Sequence, residues 1–183
     1  MKNTAILFSL FILFSSAAIC KKNKNTFMIQ GQLTTTESWC GGMRPTPEIE
    51  KNLRTPKALP NTKIYIRKGT VNDPKSKILQ TVTSDANGNF SVKLPAGKYV
   101  IVDEKKKDRK YAEELLKKFE KETQNYSAID KNCLEEWLKT PDFTFEIDAN
   151  GTLKNMDTLK VNYHLPCSFR SVPCVQYRGP MPP

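Results

Sequence analysis

Residues 84–102 read SDANGNFSVKLPAGKYVIV, which is the pattern of a turn, a strand, a second turn and a second strand. Asn87-Gly88 is typical of a tight hairpin turn, because both residue types tolerate positive φ angles. Apolar and polar residues then alternate from Phe90 to Leu94, which predicts a strand buried on one side. Residues 99–102 are apolar on both faces, so we expect them to form a central strand between two layers.

Similar patterns predict five more strands along the chain. They cover residues 27–33, 63–67, 78–83, 143–147 and 153–163. Seven strands in one domain favour a mainly β fold, an antiparallel β-sandwich. Apolar and polar residues do not alternate between Trp39 and Pro60. We expect this segment to be an ordered loop held in place at Cys40.

The spacing of apolar residues changes between Val102 and Phe143. Tyr111, Leu115 and Phe119 recur every four residues, which predicts an amphipathic helix. A second, shorter helix is predicted from about 130 to 138, because the following Thr140-Pro141 cannot continue it. The sandwich therefore carries a short two-helix insertion at about 108–139.

The N-terminus predicts export. Residues 1–19 combine a basic start with an apolar run that is shorter than the roughly 20 residues of a membrane span, as in a signal peptide. Cys20 ends the run, which favours lipidation as in bacterial lipoproteins over simple cleavage near Ala18. We expect a linker over residues 20–26 and a single domain over 27–183. The protein would be a periplasmic or outer-membrane-anchored lipoprotein, or else secreted, and would touch the membrane only through a lipid on Cys20.

The net charge of the chain is +10. Its lysines are dispersed among acidic residues and are not gathered with aromatic residues on one element. We therefore expect a solvated basic surface and no nucleic-acid partner.

The turn at residues 85–88 recurs at residues 148–151, in both cases as Asp-Ala-Asn-Gly. Asp and Asn oxygens could ligate calcium, but neither copy has a Glu at the position that closes an EF-hand loop. We expect hairpin turns at both places.

Residues 83–101 carry the pattern TxDxxGxFxxxLPxGxYxI. This pattern resembles the signature of carboxypeptidase regulatory-like domains, which are grouped with transthyretin-like modules as prealbumin-like (Ig-like) β-sandwiches. The resemblance implies a non-catalytic module of surface or periplasmic proteins that acts as a stalk, spacer or binding scaffold. We expect its partner to be an unidentified protein or an envelope glycan.

Four cysteines follow Cys20, and in an oxidising compartment they should form two disulfides. They are Cys40, Cys133, Cys167 and Cys174. Of the three pairings we favour Cys167 with Cys174 and Cys40 with Cys133, although spacing does not exclude the others.

A metal site is the alternative use of these cysteines. His164, Cys167 and Cys174, with Cys40 and Cys133, offer ligands for Zn or Cu(I), and Met43 or Met181 could add a soft sulfur. A thiol redox enzyme built on Cys133 is a third hypothesis, since this residue is near a predicted helix N-terminus.

Catalysis has little support in the sequence. His164 is the only histidine, it is separated from Ser38 and Cys40 by most of the chain, and no nucleophile elbow is present. We expect neither an enzyme nor a cofactor.

The segment from Trp39 to Arg44 is the candidate recognition loop. Trp39, Met43 and Arg44 would contact a partner, while Gly41-Gly42 lets the chain turn. Of the two interpretations we favour the structural one, in which Trp39 covers an end of the sandwich core. The sequence therefore predicts a non-enzymatic, disulfide-stapled binding or structural module of the cell envelope, with a metal-binding envelope protein as the alternative.

Overall fold

The computed structural model describes residues 25–180 of the 183-residue chain. The strands are β1 (Thr26–Glu37), β2 (Lys57–Ala58), β3 (Lys63–Lys68), β4 (Gln80–Thr83), β5 (Asn89–Pro95), β6 (Gly97–Val102), β7 (Phe143–Ile147) and β8 (Leu159–Leu165). The α-helices are α1 (Pro47–Arg54), α2 (Lys110–Lys118) and α3 (Lys131–Lys139), and a 3-10 helix covers Ser168–Arg170. Within residues 25–180, no helix is long and apolar enough to cross a membrane.

Several predictions about the chain ends concern residues outside this range. The predicted signal peptide, Cys20 and Met181 are not among the described residues. Of the expected linker at 20–26, the structure shows that Thr26 already belongs to β1.

The strands form two sheets. One has the order β4-β3-β6-β7, and all its pairs are antiparallel. In the other, Gly31 of β1 pairs with both Phe90 and Leu159, so β5 and β8 lie on opposite edges of β1, and β2 extends the β5 side. The β1–β8 pair is parallel, so the prediction of a purely antiparallel sandwich is wrong there. No hairpin restricts the direction of β8, because most of the chain intervenes between it and β1.

The two sheets pack face to face in a β-sandwich arrangement. Their inward side chains form one apolar core: Ile29, Leu33, Ile64, Ile66, Phe90, Val92, Leu94, Tyr99, Ile101, Phe145, Ile147, Leu153, Leu159 and Val161. The predicted alternation from Phe90 to Leu94 is confirmed, since the three apolar residues of β5 are buried and its two intervening polar residues are exposed.

Both turns within residues 84–102 connect one sheet to the other. β4 and β6 belong to one sheet and β5 to the other, so the hairpin predicted at Asn87-Gly88 is wrong. Of these two residues only Gly88 has a positive φ, of 78°. The Asp85 carboxylate accepts hydrogen bonds from the backbone N–H groups of Asn87 and Asn89, both at 2.8 Å, and this closes the corner.

β6 is a central strand, as predicted. It pairs with β3 and β7, and its residues 99–102 are all buried. Alternate residues point into the sandwich core, while the others lie on the opposite face beside Tyr65 and Arg67 of β3. The segment between β6 and β7 covers that face, because the Arg67 guanidinium donates to the backbone oxygen of Lys107.

The structure places α2 and α3 within residues 108–139. They enclose a second apolar cluster, consisting of Ala112, Leu115, Phe119, Ile129, Leu134 and Leu138. The C-terminal segment packs on this cluster, since Ser127 donates its backbone N–H to Gln176 and Arg178 donates to Asn125. The insertion and the C-terminal segment thus form one satellite body.

Two parts of the chain differ from their predicted elements. The expected loop between Trp39 and Pro60 contains α1 and β2. The last predicted strand, 153–163, begins only at Leu159, because the preceding residues contribute no more than a single bridge between Leu153 and Ile147.

Candidate recognition site

A loop and a cleft lie where β1 and β8 end. Ser38 continues β1 and donates its backbone N–H to Leu165 at 2.9 Å. The cleft has a volume of about 340 Å³. It is lined by Glu37, Ser38, Trp39, Pro45, Glu50, Leu53, Arg54, His164, Pro166, Cys167 and Arg170. This volume and the mixture of apolar and polar groups are typical of a small binding site.

A disulfide fastens the loop to the sandwich. Cys40 is bonded to Cys167, just beyond β8, with a Cα–Cα distance of 5.5 Å. Cys133 of α3 is bonded to Cys174 of the C-terminal segment. The expected disulfides are therefore present, but the favoured pairing is wrong. The reason is topological: parallel pairing brings the ends of β1 and β8 together, and the C-terminal segment then passes over α3.

The loop is organised around Trp39. The indole N–H donates to the backbone oxygen of Met43 at 2.6 Å. Gly41 lies against the indole ring, where a Cβ atom would come within 2.5 Å of Cζ2. Trp39 is nevertheless 42% exposed and Met43 83% exposed, so the loop is folded while its large apolar side chains stay accessible.

The three residues of the predicted recognition loop lie in different places relative to the cleft. Trp39 lines the cleft, whereas Met43 and Arg44 are exposed on the loop outside the cleft lining. Trp39 does not cover the apolar core, because it is neither a core residue nor one of the side chains packed against the core.

His164 lies between two hydroxyl groups. Its Nε2 is 2.8 Å from Ser38 Oγ, and its Nδ1 is 3.2 Å from Thr36 Oγ1. We expected distance along the chain to separate Ser38 from His164, but the parallel β1–β8 register brings them together. Among residues 25–180, no carboxylate forms a hydrogen bond with this ring, so a Ser-His-Asp arrangement is not assembled there.

The predicted metal ligands do not converge. Cys167 is held by Cys40 near the cleft, while Cys174 is held by Cys133 on the satellite body. Over the part of the chain that the structure describes, no group of three or more His, Cys, Asp or Glu side chains could hold a metal ion. As disulfides, these sulfurs are no longer the thiolates that Zn or Cu(I) binds.

Charges around the cleft are partly paired. Arg54 contacts Glu50 at 2.5 Å across one turn of α1, and Lys57 lies 3.6 Å from Glu37. Arg170 forms no ion pair within residues 25–180. The cleft therefore offers an aromatic ring, a hydroxyl group, an imidazole and a guanidinium to a ligand.

Sequence reasoning missed the residues that α1 brings to the cleft, above all Leu53. A signal was present: Thr46 precedes Pro47, and its hydroxyl caps the helix by accepting from the Ile49 N–H at 3.4 Å. Thr followed by Pro is a common helix start.

Compared with models of known protein families and with curated proteins, the chain gives no match. The resemblance to carboxypeptidase regulatory-like domains therefore stays a prediction.

Proposed function

We propose that the protein is a non-enzymatic binding module of the bacterial cell envelope. In this proposal it is an exported lipoprotein with a prealbumin-like sandwich of the carboxypeptidase regulatory-like type, and the loop at Trp39 recognises the partner. The preorganised loop is the observation that carries the proposal.

Preorganisation supports binding because it lowers the entropy lost when a partner docks. The disulfide between Cys40 and Cys167 fixes one side of the loop, and the indole hydrogen bond to Met43 fixes the other. An exposed Trp on such a loop is typical of residues that dominate binding energy.

The direction of β1 supports an anchored arrangement. Thr26 begins this strand six residues after Cys20, and Ser38 follows its last residue. Twelve residues of extended strand cover about 40 Å. A lipid on Cys20 would therefore hold one end of the sandwich at the membrane and direct the recognition loop away from it.

Binding is tested with the mature protein on purified envelope fractions, namely peptidoglycan, surface polysaccharide and detergent-extracted envelope proteins. We expect retention on at least one fraction and a loss of about tenfold in affinity for Trp39→Ala. Val71→Ala removes an exposed apolar side chain from another part of the surface, so it is the matched control and should bind like wild type.

Two results would contradict this function. One is the absence of retention on every fraction, and the other is equal affinity of wild type and Trp39→Ala.

Anchoring is tested by the intact mass of protein from the membrane fraction. We expect a diacylglyceryl addition on Cys20, and loss of membrane association in Cys20→Ala. Wild-type protein found unmodified in the cytoplasm would refute both export and lipidation.

A further inference from the structure

The outer face of β1 carries uncharged polar side chains. From Gln30 to Thr36 its outward positions are Gln30, Gln32, Thr34 and Thr36, and the intervening residues are buried. Met28, which precedes them on the same face, is exposed and apolar. The neighbouring strands place Asn89 and Ser91 of β5, and Lys160, Asn162 and His164 of β8, beside the polar residues of β1. Charged residues make up 26% of the chain, yet Lys160 is the single Lys, Arg, Asp or Glu among these nine positions.

One half of this face is concave. A cleft of about 760 Å³ lies over β1 and β5, next to Thr83 and Thr158. Within residues 25–180, the side chains of Gln30, Thr83, Ser91 and Thr158 form no hydrogen bond to other protein groups. Their donors and acceptors are therefore available to a ligand.

Among the residues that the structure describes, Asp85 is the one charged residue in the lining of this cleft. One carboxylate oxygen, Oδ1, accepts from the backbone N–H groups that close the turn to β5, and Oδ2 accepts from the Asn89 side-chain amide at 3.4 Å. These hydrogen bonds lower the pKa of Asp85, which favours its ionised form, so the lining carries a negative charge that disfavours an anionic ligand.

The other half of the face is a hydrogen-bonded row. Thr34 donates to Asn162 Oδ1 at 3.0 Å, and Asn162 donates its Nδ2 hydrogen to Thr36 Oγ1 at 3.1 Å. Thr36 and Ser38 then contact the two nitrogens of His164. The row holds its side chains in place and leads from the cleft to Trp39, which directly follows Ser38.

We propose that this face binds a neutral polysaccharide, laid along β1 with one sugar ring against Trp39. This inference names the ligand class of the proposed binding module and rests on that function. From Gln30 to Ser38 the strand extends about 27 Å, which accommodates several sugar rings in a row.

The chemistry of the face favours this ligand over other classes. Amides and hydroxyls donate and accept hydrogen bonds, as sugar hydroxyls do, and an exposed indole can cover the apolar side of a sugar ring. An anionic polymer would need clustered basic residues, but here Lys93 and Lys160 lie apart, on β5 and β8 respectively. A helical peptide would need an apolar groove.

The probes are soluble neutral polysaccharides of the glucan and mannan type, with alginate as the anionic comparison. Binding of the mature protein is measured by affinity electrophoresis and titration calorimetry at low and high salt. We expect retention by at least one neutral polymer, with little change on raising salt, because no ion pairs are broken.

The variant Gln30→Ala/Gln32→Ala should weaken binding by about tenfold or more, since two amide contacts are lost. Both positions are outside the core, and an unchanged melting temperature verifies folding. Gln124→Ala removes an exposed glutamine from the insertion and is the matched control that should bind normally.

The inference is overturned by retention on alginate alone, by binding that falls steeply with salt, by normal affinity of the double variant, or by no retention on any neutral polymer. If Trp39→Ala still loses binding to envelope proteins in any of these cases, the proposed function survives and only the glycan assignment fails. If no fraction binds at all, both fail.

Discussion

Arg67 is the largest of the fully buried side chains, at 1% exposure. Its Nη1 donates to Asn72 Oδ1 at 2.7 Å, its Nε to the Ser76 oxygen at 3.2 Å, and its Nη2 to the Lys107 oxygen. Burial lowers the pKa of this guanidinium. The residue therefore joins β3 to the insertion through carbonyl and amide oxygens.

We predict that Arg67→Met lowers the free energy of unfolding by about 3 kcal/mol, because one buried and two part-buried acceptors lose their donor. Denaturant unfolding followed by circular dichroism measures the change. Arg67→Lys should recover only part of it, since an ammonium cannot reach all three acceptors in the geometry of a guanidinium. A loss below about 1 kcal/mol in Arg67→Met would contradict this account.

Asp103 is a half-buried carboxylate at the end of β6. Burial first, and then repulsion from Asp142, raise the pKa of Asp103. The native state therefore holds this proton more tightly than the unfolded chain does. Its contribution to stability is present at low pH and is lost as pH rises through the raised native pKa.

We predict that Asp103→Asn removes this loss. The Asn oxygen can still accept from the N–H groups of Lys105 and Lys106, as the aspartate does at 2.9 and 3.1 Å. The variant should match wild type near about pH 4 and exceed it at about pH 7. Chemical unfolding across pH tests this.

Asp85→Asn is the control, because the stability contributed by Asp85 should change with pH in the opposite direction. Backbone hydrogen bonds, with that from Asn89 largest, lower the pKa of Asp85. Its stabilisation is therefore present above the unfolded-state pKa and lost as pH falls through the lowered native value. Parallel pH profiles for the two Asn variants would contradict both assignments.

The two disulfides restrain different elements. Cys40–Cys167 joins residues 127 apart in sequence, and Cys133–Cys174 joins residues 41 apart. In the chain-entropy model, such loops restrict the unfolded state by about 5 and about 4 kcal/mol respectively.

We predict that Cys40→Ala/Cys167→Ala costs about 5 kcal/mol of unfolding free energy and Cys133→Ala/Cys174→Ala about 4 kcal/mol. Denaturant unfolding without reductant measures both losses. Peptide mapping of unreduced protein is the direct check on connectivity. A peptide joining Cys167 to Cys174 would show that the pairing described above is wrong.

At the scale of the folded body, residues 25–180 contain two separate apolar clusters, one between the sheets and one around α2 and α3. Leu33 is fully buried in the first, and Leu134 is 1% exposed in the second. Separate clusters allow one part of a protein to open while the other stays folded.

We predict that Leu33→Ala lowers global stability by about 3 kcal/mol and speeds hydrogen exchange throughout. Leu134→Ala should speed exchange mainly in α2, α3 and the C-terminal segment, while β1 and β6 stay protected. Equal acceleration of both regions by Leu134→Ala would mean that the clusters unfold as one cooperative unit.

The sequence predicted local structure well wherever side chains alternate or recur strongly. β5 and β6 follow from Phe90–Leu94 and Tyr99–Val102, since their patterns admit only an extended chain with defined buried faces. The repeated turn is also local: Asp148 accepts from the N–H groups of Asn150 and Thr152 at 2.8 and 2.9 Å, as Asp85 does in its own turn.

The recognition site was predicted only in part. Trp39, its anchoring cysteine and His164 stood out in the sequence, but Thr36 did not, because it has an ordinary strand environment. Ser38 was expected to lie apart from His164. Their association depends on which strand pairs with β1 and in which direction.

The β-rich class, most strand positions and the turn at Asp85 therefore follow from local preferences, which act between residues near each other along the chain. The sheet to which each strand belongs, the parallel pairing of β8 with β1 and the pairing of the cysteines depend on contacts between residues far apart in sequence. Burial of the common core selects those contacts, and they bring Ser38, His164 and Cys40 to one end of the molecule.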